Sequence, residues 1–485
     1  MSQQLKVVPV LIPTMLLDKY KMYDNVLACT PDKLFELIGP QLSNRRQIDI
    51  QEWINAEYCP LPSLVDAARL LYKNEDLPYI RKANSAGIPE AVSALKKISN
   101  EACENGNRVL ALVTGVPGAG KTLLGLDFVH QSQSSEHNKS EAFLSGNGPL
   151  VEVLQYALKS KTFVAPLRNY IKEYGIHKKG IPIEHIVVFD EAQRSWDKEH
   201  VLEKHNVNQS EPELIISIAD TMPHWAMLLG LVGEGQEIHN GEEAGIVQWK
   251  DAISCSDNKW KVVCPPKLSN MFENICEVIP LDCLDLNVSL RSHIADDVAS
   301  WVNSLLSGDI DTAAKLGLQV QSQGFRMYIT RDLDRAKRYC RNRYEKSPDN
   351  RYGLIASSKA NILTTFGVKN DFASTQNLRV GPWYNEGLDS PLSCCQLRTV
   401  VTEFSCQGLE LDMPILCWGE DLTWQNEGWV KYVKPAKCKD PHQLRLNSYR
   451  VLLTRGRDGF VIYMPEDGKL DETYKVMLRT GIKTM

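Results

Sequence analysis

The chain has no apolar run long enough to cross a bilayer: Val109 to Val113 and Ala226 to Val232 are among its longest, against the roughly 20 residues a spanning helix needs. This excludes a helical channel or transporter. Cys-x-x-Cys is also missing. Thirteen cysteines, an odd number, are scattered singly or side by side, which argues against a disulfide framework and a thiolate zinc site and leaves reduced structural thiols. Neither sign of charge dominates: 60 acidic against 55 basic residues give a net charge of -5, so a nucleic-acid partner must be met by local basic patches. Internal repeats and long low-complexity tracts are absent, apart from the polar run Gln131 to Ser140, expected as a mobile surface loop. The apolar start Val7 to Leu17 is broken by Pro9 and Pro13, and no small-residue cleavage site follows before Asp18. We therefore expect a cytoplasmic protein rather than an exported one.

What is present is a globular composition and a length of 485 residues, enough for about three domains. Residues 1–105 mix a short strand at Val7 to Leu11 with helical periodicity over Ser63 to Tyr72 and Ile88 to Ala102, and carry no compact chemical motif. From Arg108 onward, short apolar runs alternate with amphipathic helices: Val109 to Val113, Ala142 to Leu144, Ile186 to Phe189 and Leu228 to Val232. Parallel strands are covered on both faces and read as continuous apolar segments, so these are βαβ units. A second series follows at Arg351 to Ala356, Gln396 to Thr402, Pro414 to Trp418 and Phe460 to Met464. The expected architecture is α/β, with two domains in tandem (106–280 and 281–485) behind a small mixed accessory segment (1–105).

Gly115-Val116-Pro117-Gly118-Ala119-Gly120-Lys121-Thr122 is a complete G-x-x-x-x-G-K-T between the first strand and a helical stretch, Leu123 to His130. Gly115, Gly118 and Gly120 let backbone N–H groups close around phosphates at a helix N-terminus. Lys121 neutralises the β and γ phosphates, and the Thr122 hydroxyl ligates magnesium. ATP and Mg2+ are the expected cofactors. Further along, Ile186-Val187-Val188-Phe189 runs into Asp190-Glu191. A buried strand ending there lets Asp190 hold the magnesium shell while Glu191 orients the attacking water; the plainer reading makes both acids a solvated helix cap.

This order of motifs resembles the RecA-like core of superfamily 1 helicases, and its details resemble the Schlafen-related bacterial family of helicase-domain ATPases, over roughly residues 106–467. The resemblance implies two tandem RecA-like P-loop domains with the nucleotide in their cleft, and it carries further positions over. Phe143 to Pro149 is similar to the segment that touches single strands, which assigns Ser145 and Asn147 to nucleic acid. Leu231 to Gln236 resembles the segment whose glutamine senses the γ-phosphate, here Gln236, although Glu234 stands where the pattern has Asp. Leu290-Arg291-Ser292 and Tyr449 to Arg457 resemble the two arginine motifs, which makes Arg291 and Arg455 candidates for stabilising charge on the γ-phosphoryl group. Thr402 to Asp412 resembles the loop that couples nucleotide to nucleic acid. It implies Thr402 and Gln407 on the nucleic-acid backbone, Gly408 in a tight turn at the nucleotide, and Glu410 on the ribose.

Departures from the pattern matter as well. No Gln stands in Ala86 to Ala102, where many such helicases read adenine. The spacing from Lys121 to Asp190 leaves no room for a large strand-separating insertion. Residues 1–105 lack an Asp followed by Glu-x-Lys, so no nuclease activity is expected. Two clusters bear on a polyanion: Lys431 to Asp458 holds eight basic and two acidic residues, and Arg326 to Arg351 nine basic and four acidic, much of it on an expected helix. Each is a nucleic-acid stripe or simply a solvated face. Trp383, Tyr384, Trp424 and Trp429 serve either the core or stacking of bases. The expected function is an ATP-dependent helicase or translocase on single-stranded DNA or RNA. The alternative is an ATP-gated regulatory module controlling a protein partner such as a nuclease, in defence against foreign nucleic acid.

Overall fold

The strand β4 (Arg108–Gly115) is buried along almost its whole length, and its side chains alternate between two cores. Val109, Ala111 and Val113 enter one hydrophobic cluster, while Leu110 and Leu112 enter the other. β7 (Ile186–Asp190) and β8 (Ala226–Gly233) do the same, with Val188 and Leu229 on one face and Val187 and Leu228 on the other. A sheet buried on both faces has no solvated side to mark with polar residues, which is why these strands are apolar throughout.

A computed structural model describes residues 10–12, 20–23, 26–30, 33–34, 64–72, 87–115, 119–133, 140–159, 164–233, 245–286, 293–430 and 440–485. Around β4, β7 and β8 lie β5 (Glu141–Ser145), β6 (Val164–Pro166), β9 (Trp260–Cys264), β10 (Glu277–Pro280) and β11 (Asp285–Leu286). The order is β10-β9-β4-β8-β7-β5-β6, with β11 also on β4, and every pairing is parallel. A second parallel sheet comprises β12 (Arg326–Thr330), β13 (Leu354–Ala356), β14 (Val400–Thr402), β15 (Ile415–Cys417), β18 (Gly459–Tyr463) and β19 (Lys483–Thr484). Its order is β14-β13-β15-β18-β12-β19; β16 (Trp424–Gln425) and β17 (Gly428–Trp429) form a separate antiparallel ribbon. The two α/β layers are those the two series of apolar runs predict.

The chain divides into two compact units, Met1–Pro60 and Leu61–Met485. In the first, β1 (Val10–Leu11), β2 (Tyr20–Tyr23) and β3 (Val26–Cys29) form a small mixed sheet. In the second, the helix Ile88–Asn105 has Pro89 in its first turn. It buries Ile88, Ala91, Val92, Leu95, Ser99 and Ala102 on one face, and ends at Gly106, whose left-handed backbone returns its N–H to the Ala102 carbonyl. The helix Gly148–Leu158 packs against the helix Val380–Asn385 and so joins the two sheets. There the Gly381 N–H donates to Glu152 (3.1 Å) and Asn385 Nδ2 to the Val153 carbonyl (3.1 Å).

Two expectations change in detail, and one open alternative resolves to the core. Gln131 to Gln133 belong to the helix Lys121–Gln133 and not to a loop, because Gln131 Nε2 finds Asp127 one turn back; residues 134–139 of that run lie outside the described residues. Arg326 to Arg351 opens with strand β12, and its helix is confined to Leu333–Arg343. Trp383, Tyr384 and Trp424 are core residues, and Trp429 meets Trp424 edge-on with ring centroids 5.2 Å apart. No helix among the described residues is long and apolar enough to cross a membrane.

Candidate nucleotide and nucleic-acid sites

In a parallel sheet all strands end at one edge, and ligands collect there. Gly115 ends β4 beside Gly233 of β8, and Asp190 ends β7 beside Ser145 of β5. Residues between 30 and 118 positions apart in sequence therefore share one rim. Gly115 is dictated by close packing: a Cβ there would stand 2.9 Å from the Leu286 carbonyl of β11. Gly120 has φ +86°, and the helix Lys121–Gln133 begins directly after it, which sets the first turn of that helix, the end where backbone N–H groups lack intrahelical partners, at the rim.

Lys121 Nζ donates to the Gly115 carbonyl at 2.7 Å, and the Thr122 hydroxyl lies 3.2 and 3.4 Å from the two carboxylate oxygens of Asp190. Asp190 is 3% exposed. Burial, reinforced by the charge of Glu191, pushes its carboxyl up to about 7, while Thr122 and Lys121 pull the other way. Glu191 adopts φ +59°, a left-handed conformation uncommon outside glycine and the kind of strain that gathers at functional sites. Its carboxylate accepts from Gln193 Nε2 at 2.5 Å, and Gln193 Oε1 accepts from the Gly233 N–H at 2.8 Å. A Cβ on Gly233 would lie 3.5 Å from both Glu191 Oε2 and Lys121 Cε, so lysine, acid and amide converge on the end of β8. Gln193 is the residue that sequence reasoning passes over. A glutamine two places after the acid pair is visible, but its bond to β8 is not.

The oxygen donors of Thr122 and Asp190 suit a hard divalent cation, which prefers carboxylate, hydroxyl and phosphate oxygens and keeps several waters. Among the described residues no cluster of three or more His, Cys, Asp or Glu forms a complete protein cage for a metal. A partial site of this kind is what a cation shared with a phosphate requires.

A second cluster lies where the two sheets meet. The Asn147 backbone N–H donates to Ser145 Oγ (3.1 Å). Asn147 Oδ1 caps the helix Gly148–Leu158 by accepting from the Leu150 N–H (3.3 Å), and its Nδ2 donates to the Gln407 carbonyl (2.8 Å). Thr402 ends β14, and its carbonyl accepts from the N–H groups of Ser405 and Cys406, which turns the loop. Gly408 follows at φ +74°, with its would-be Cβ 2.6 Å from Asn147 Nδ2, so a side chain here is strained and must displace Asn147. Gln407 is 8% exposed, and its Nε2 has no hydrogen-bond partner; a buried amide left so is costly unless something else meets it.

Ser145, Asn147, Thr402, Gln407 and Gly408 thus form one group, one strand away from Asp190. Arg455 borders this group from the second half of the molecule, through the residue after Gly408. Its Nε donates to the Val451 carbonyl (2.8 Å) and its Nη1 to the Leu409 carbonyl (3.1 Å), both in its own half of the molecule. Glu410 is 4.0 Å from Arg457 Nε. Gly118, Gln236 and Arg291 lie outside the described residues. In the basic stretch Lys431 to Asp458, Arg445 is buried among acids and Arg450 Nε donates to Asn303 (3.1 Å); its four lysines lie outside the described residues.

Two parallel sheets, with Lys121, Thr122, Asp190 and Glu191 gathered on the rim of one of them, are the arrangement of a P-loop nucleotide-binding protein. The chain belongs to the family described as Schlafen group 3, DNA/RNA helicase domain, whose model matches residues 108–466. Among solved structures it is similar to Pif1 helicase from Candida albicans, at 12% identity over 81% of this chain and 97% of that one, with a TM-score of 0.33. It is also similar to the Hef helicase domain of Pyrococcus furiosus (12% identity, 79% and 97% covered, TM-score 0.26) and to the PRRSV helicase (12%, 76% and 54%, 0.26). No curated protein matches the chain.

Proposed function

We propose that the protein is an ATP-dependent helicase or translocase acting on single-stranded nucleic acid, with RecA-like domains at 106–280 and 281–485 that close on Mg-ATP. Backbone N–H groups around Gly115, Gly118 and Gly120 receive the phosphates, and Lys121 exchanges the Gly115 carbonyl for them. Thr122 and Asp190 would hold magnesium, which when bound neutralises phosphate charge. Glu191, aimed by Gln193, takes the proton of the attacking water. Gln236 senses the γ-phosphate; Arg291 and Arg455 stabilise charge on it when the domains close; Gly408 and Glu410 face the nucleotide from the second domain. Ser145, Asn147, Thr402 and Gln407 meet the strand.

The observation that carries this reading is the bond from Asn147 to the Gln407 carbonyl. It ties a segment beside Asp190 to the loop of the other sheet, so a strand lying across that junction senses and alters the separation of the two halves. The test is phosphate release from Mg-ATP by the purified chain, alone and with single-stranded DNA or RNA, with Glu191→Gln as control. Many-fold stimulation by one polymer, absent in the control, is expected. Hydrolysis that no strand stimulates contradicts a motor and favours an ATP-gated switch acting on a protein partner.

A further inference from the structure

The helix Pro441–Leu453 grips the loop 402–410 at both ends. Near its start, Arg445 Nη1 donates to Ser357 Oγ (2.7 Å) and lies 3.4 Å from Glu403 and 3.3 Å from Asp421. Just beyond its end, Arg455 Nη1 holds the Leu409 carbonyl. Ten residues of helical rise set these two grips about 15 Å apart. The first grip lies deep in the interior. Glu403 is 0% exposed and accepts from the Ser358 N–H (2.8 Å) and Oγ (2.9 Å). Asp421 accepts from Ser357 Oγ (2.5 Å) and from the hydroxyl of Tyr449, itself on the same helix (2.7 Å).

Two carboxylates thus share one guanidinium away from water. Apolar side chains of equal volume would stabilise the fold as well or better, so such a network is a poor device for stability and a good one for fixing a unique geometry. What it fixes is specific: the first turn of the nucleic-acid loop, immediately after Thr402, is fastened to the helix that leads into Arg455.

We propose that Glu403 and Arg445 are positioning residues that carry displacement of the 402–410 loop by a bound strand to Arg455, and so set how strongly nucleic acid stimulates ATP hydrolysis. This rests on the function proposed above. Neither residue is among those assigned above to nucleotide or strand, and both are buried. When the loop moves, the helix must follow as a body, because both of its ends are bonded to the loop. If the first grip is cut, the loop's first turn shifts under the strand without carrying the helix, and Arg455 follows only through its own bonds to Leu409 and Leu411 at the loop's far end.

The experiment compares the wild-type full chain with Glu403→Gln and Arg445→Gln in steady-state hydrolysis, with and without a saturating single-stranded oligonucleotide; active protein is counted by nucleotide-binding stoichiometry. The unstimulated rate and the KM for ATP are expected to stay at wild-type values, while the ratio of stimulated to unstimulated rate falls about tenfold, within the usual range for site coupling. The double variant should fall no further than either single one, as for two members of one link. Ser358→Ala removes only the hydroxyl bonded to Glu403 and is the milder variant should the others fail to fold; a smaller fall in the same ratio is expected. A purely structural role lowers both rates together and leaves the ratio intact, and that result overturns the proposal. Failure of the functional reading shows separately, as a wild-type chain that no strand stimulates, and it removes this inference too.

Discussion

Asp190 offers a sharp test because its burial works against the fold. Its carboxyl rises from 3.8 to about 7, and each tenfold change in proton affinity is worth about 1.4 kcal/mol, so the ionised acid costs up to about 4 kcal/mol in the ligand-free protein. The sign follows from linkage. Below the ordinary carboxylate range both folded and unfolded chains hold the proton. Between about 4 and about 7 the folded chain keeps a proton that the unfolded chain has lost, so stability falls as pH rises through that window and levels off above it. Asp190→Asn keeps an oxygen for the Thr122 hydroxyl and removes the charge. Relaxation and water penetration reduce buried-charge penalties; with about 2 kcal/mol remaining, a unit as large as Leu61–Met485 should melt about 2 °C above wild type near pH 8 in the variant, and the gap should shrink toward pH 5. The assay is a thermal melt without nucleotide or magnesium. A gap that does not change with pH, or a variant that melts lower near pH 8, refutes the reasoning.

Other predictions follow from the same rim and junction. Gln193→Ala frees the Glu191 carboxylate and should lower kcat for ATP hydrolysis about tenfold or more with KM nearly unchanged; steady-state kinetics decide it, and an unchanged kcat contradicts the positioning role. Gly408→Val forces a Cβ against Asn147 Nδ2, 2.6 Å away, at φ +74°, breaking the bond to Gln407. Single-strand affinity, measured by fluorescence anisotropy, should weaken about tenfold, the equivalent of about 1.4 kcal/mol. Gly115→Ala drives a methyl into Leu286 of β11 and should cost about 1–3 kcal/mol, read as a lower thermal midpoint.

How much of this was legible beforehand depends on the range of the contacts. Strands β4, β7 and β8 announce themselves because both faces are buried, and the phosphate loop and acid pair are contiguous in sequence. Gln193 was opaque because its partner Gly233 is 40 positions away and reaches it only through strand order. The bond from Asn147 to Gln407 spans 260 positions; the resemblance assigned both residues to nucleic acid but gave no sign that they touch. Arg445 was misleading. Within a basic stretch it reads as part of a surface stripe, yet Glu403 and Asp421, 42 and 24 residues upstream, draw it into the interior. Arg455 was expected to point across a cleft, and its bond to Leu409 belongs to a loop conformation that no local pattern encodes.

In the proposed function, nucleotide and strand are coupled through the junction of Asn147 and Gln407. The most direct test is the affinity of a fluorescent single-stranded oligonucleotide for Glu191→Gln, measured without nucleotide, with Mg-ADP and with Mg-ATP. Affinity with Mg-ATP should differ from that of the nucleotide-free protein by about tenfold, and Lys121→Ala should abolish the difference. Strand affinity that is identical in all three states would contradict the coupling.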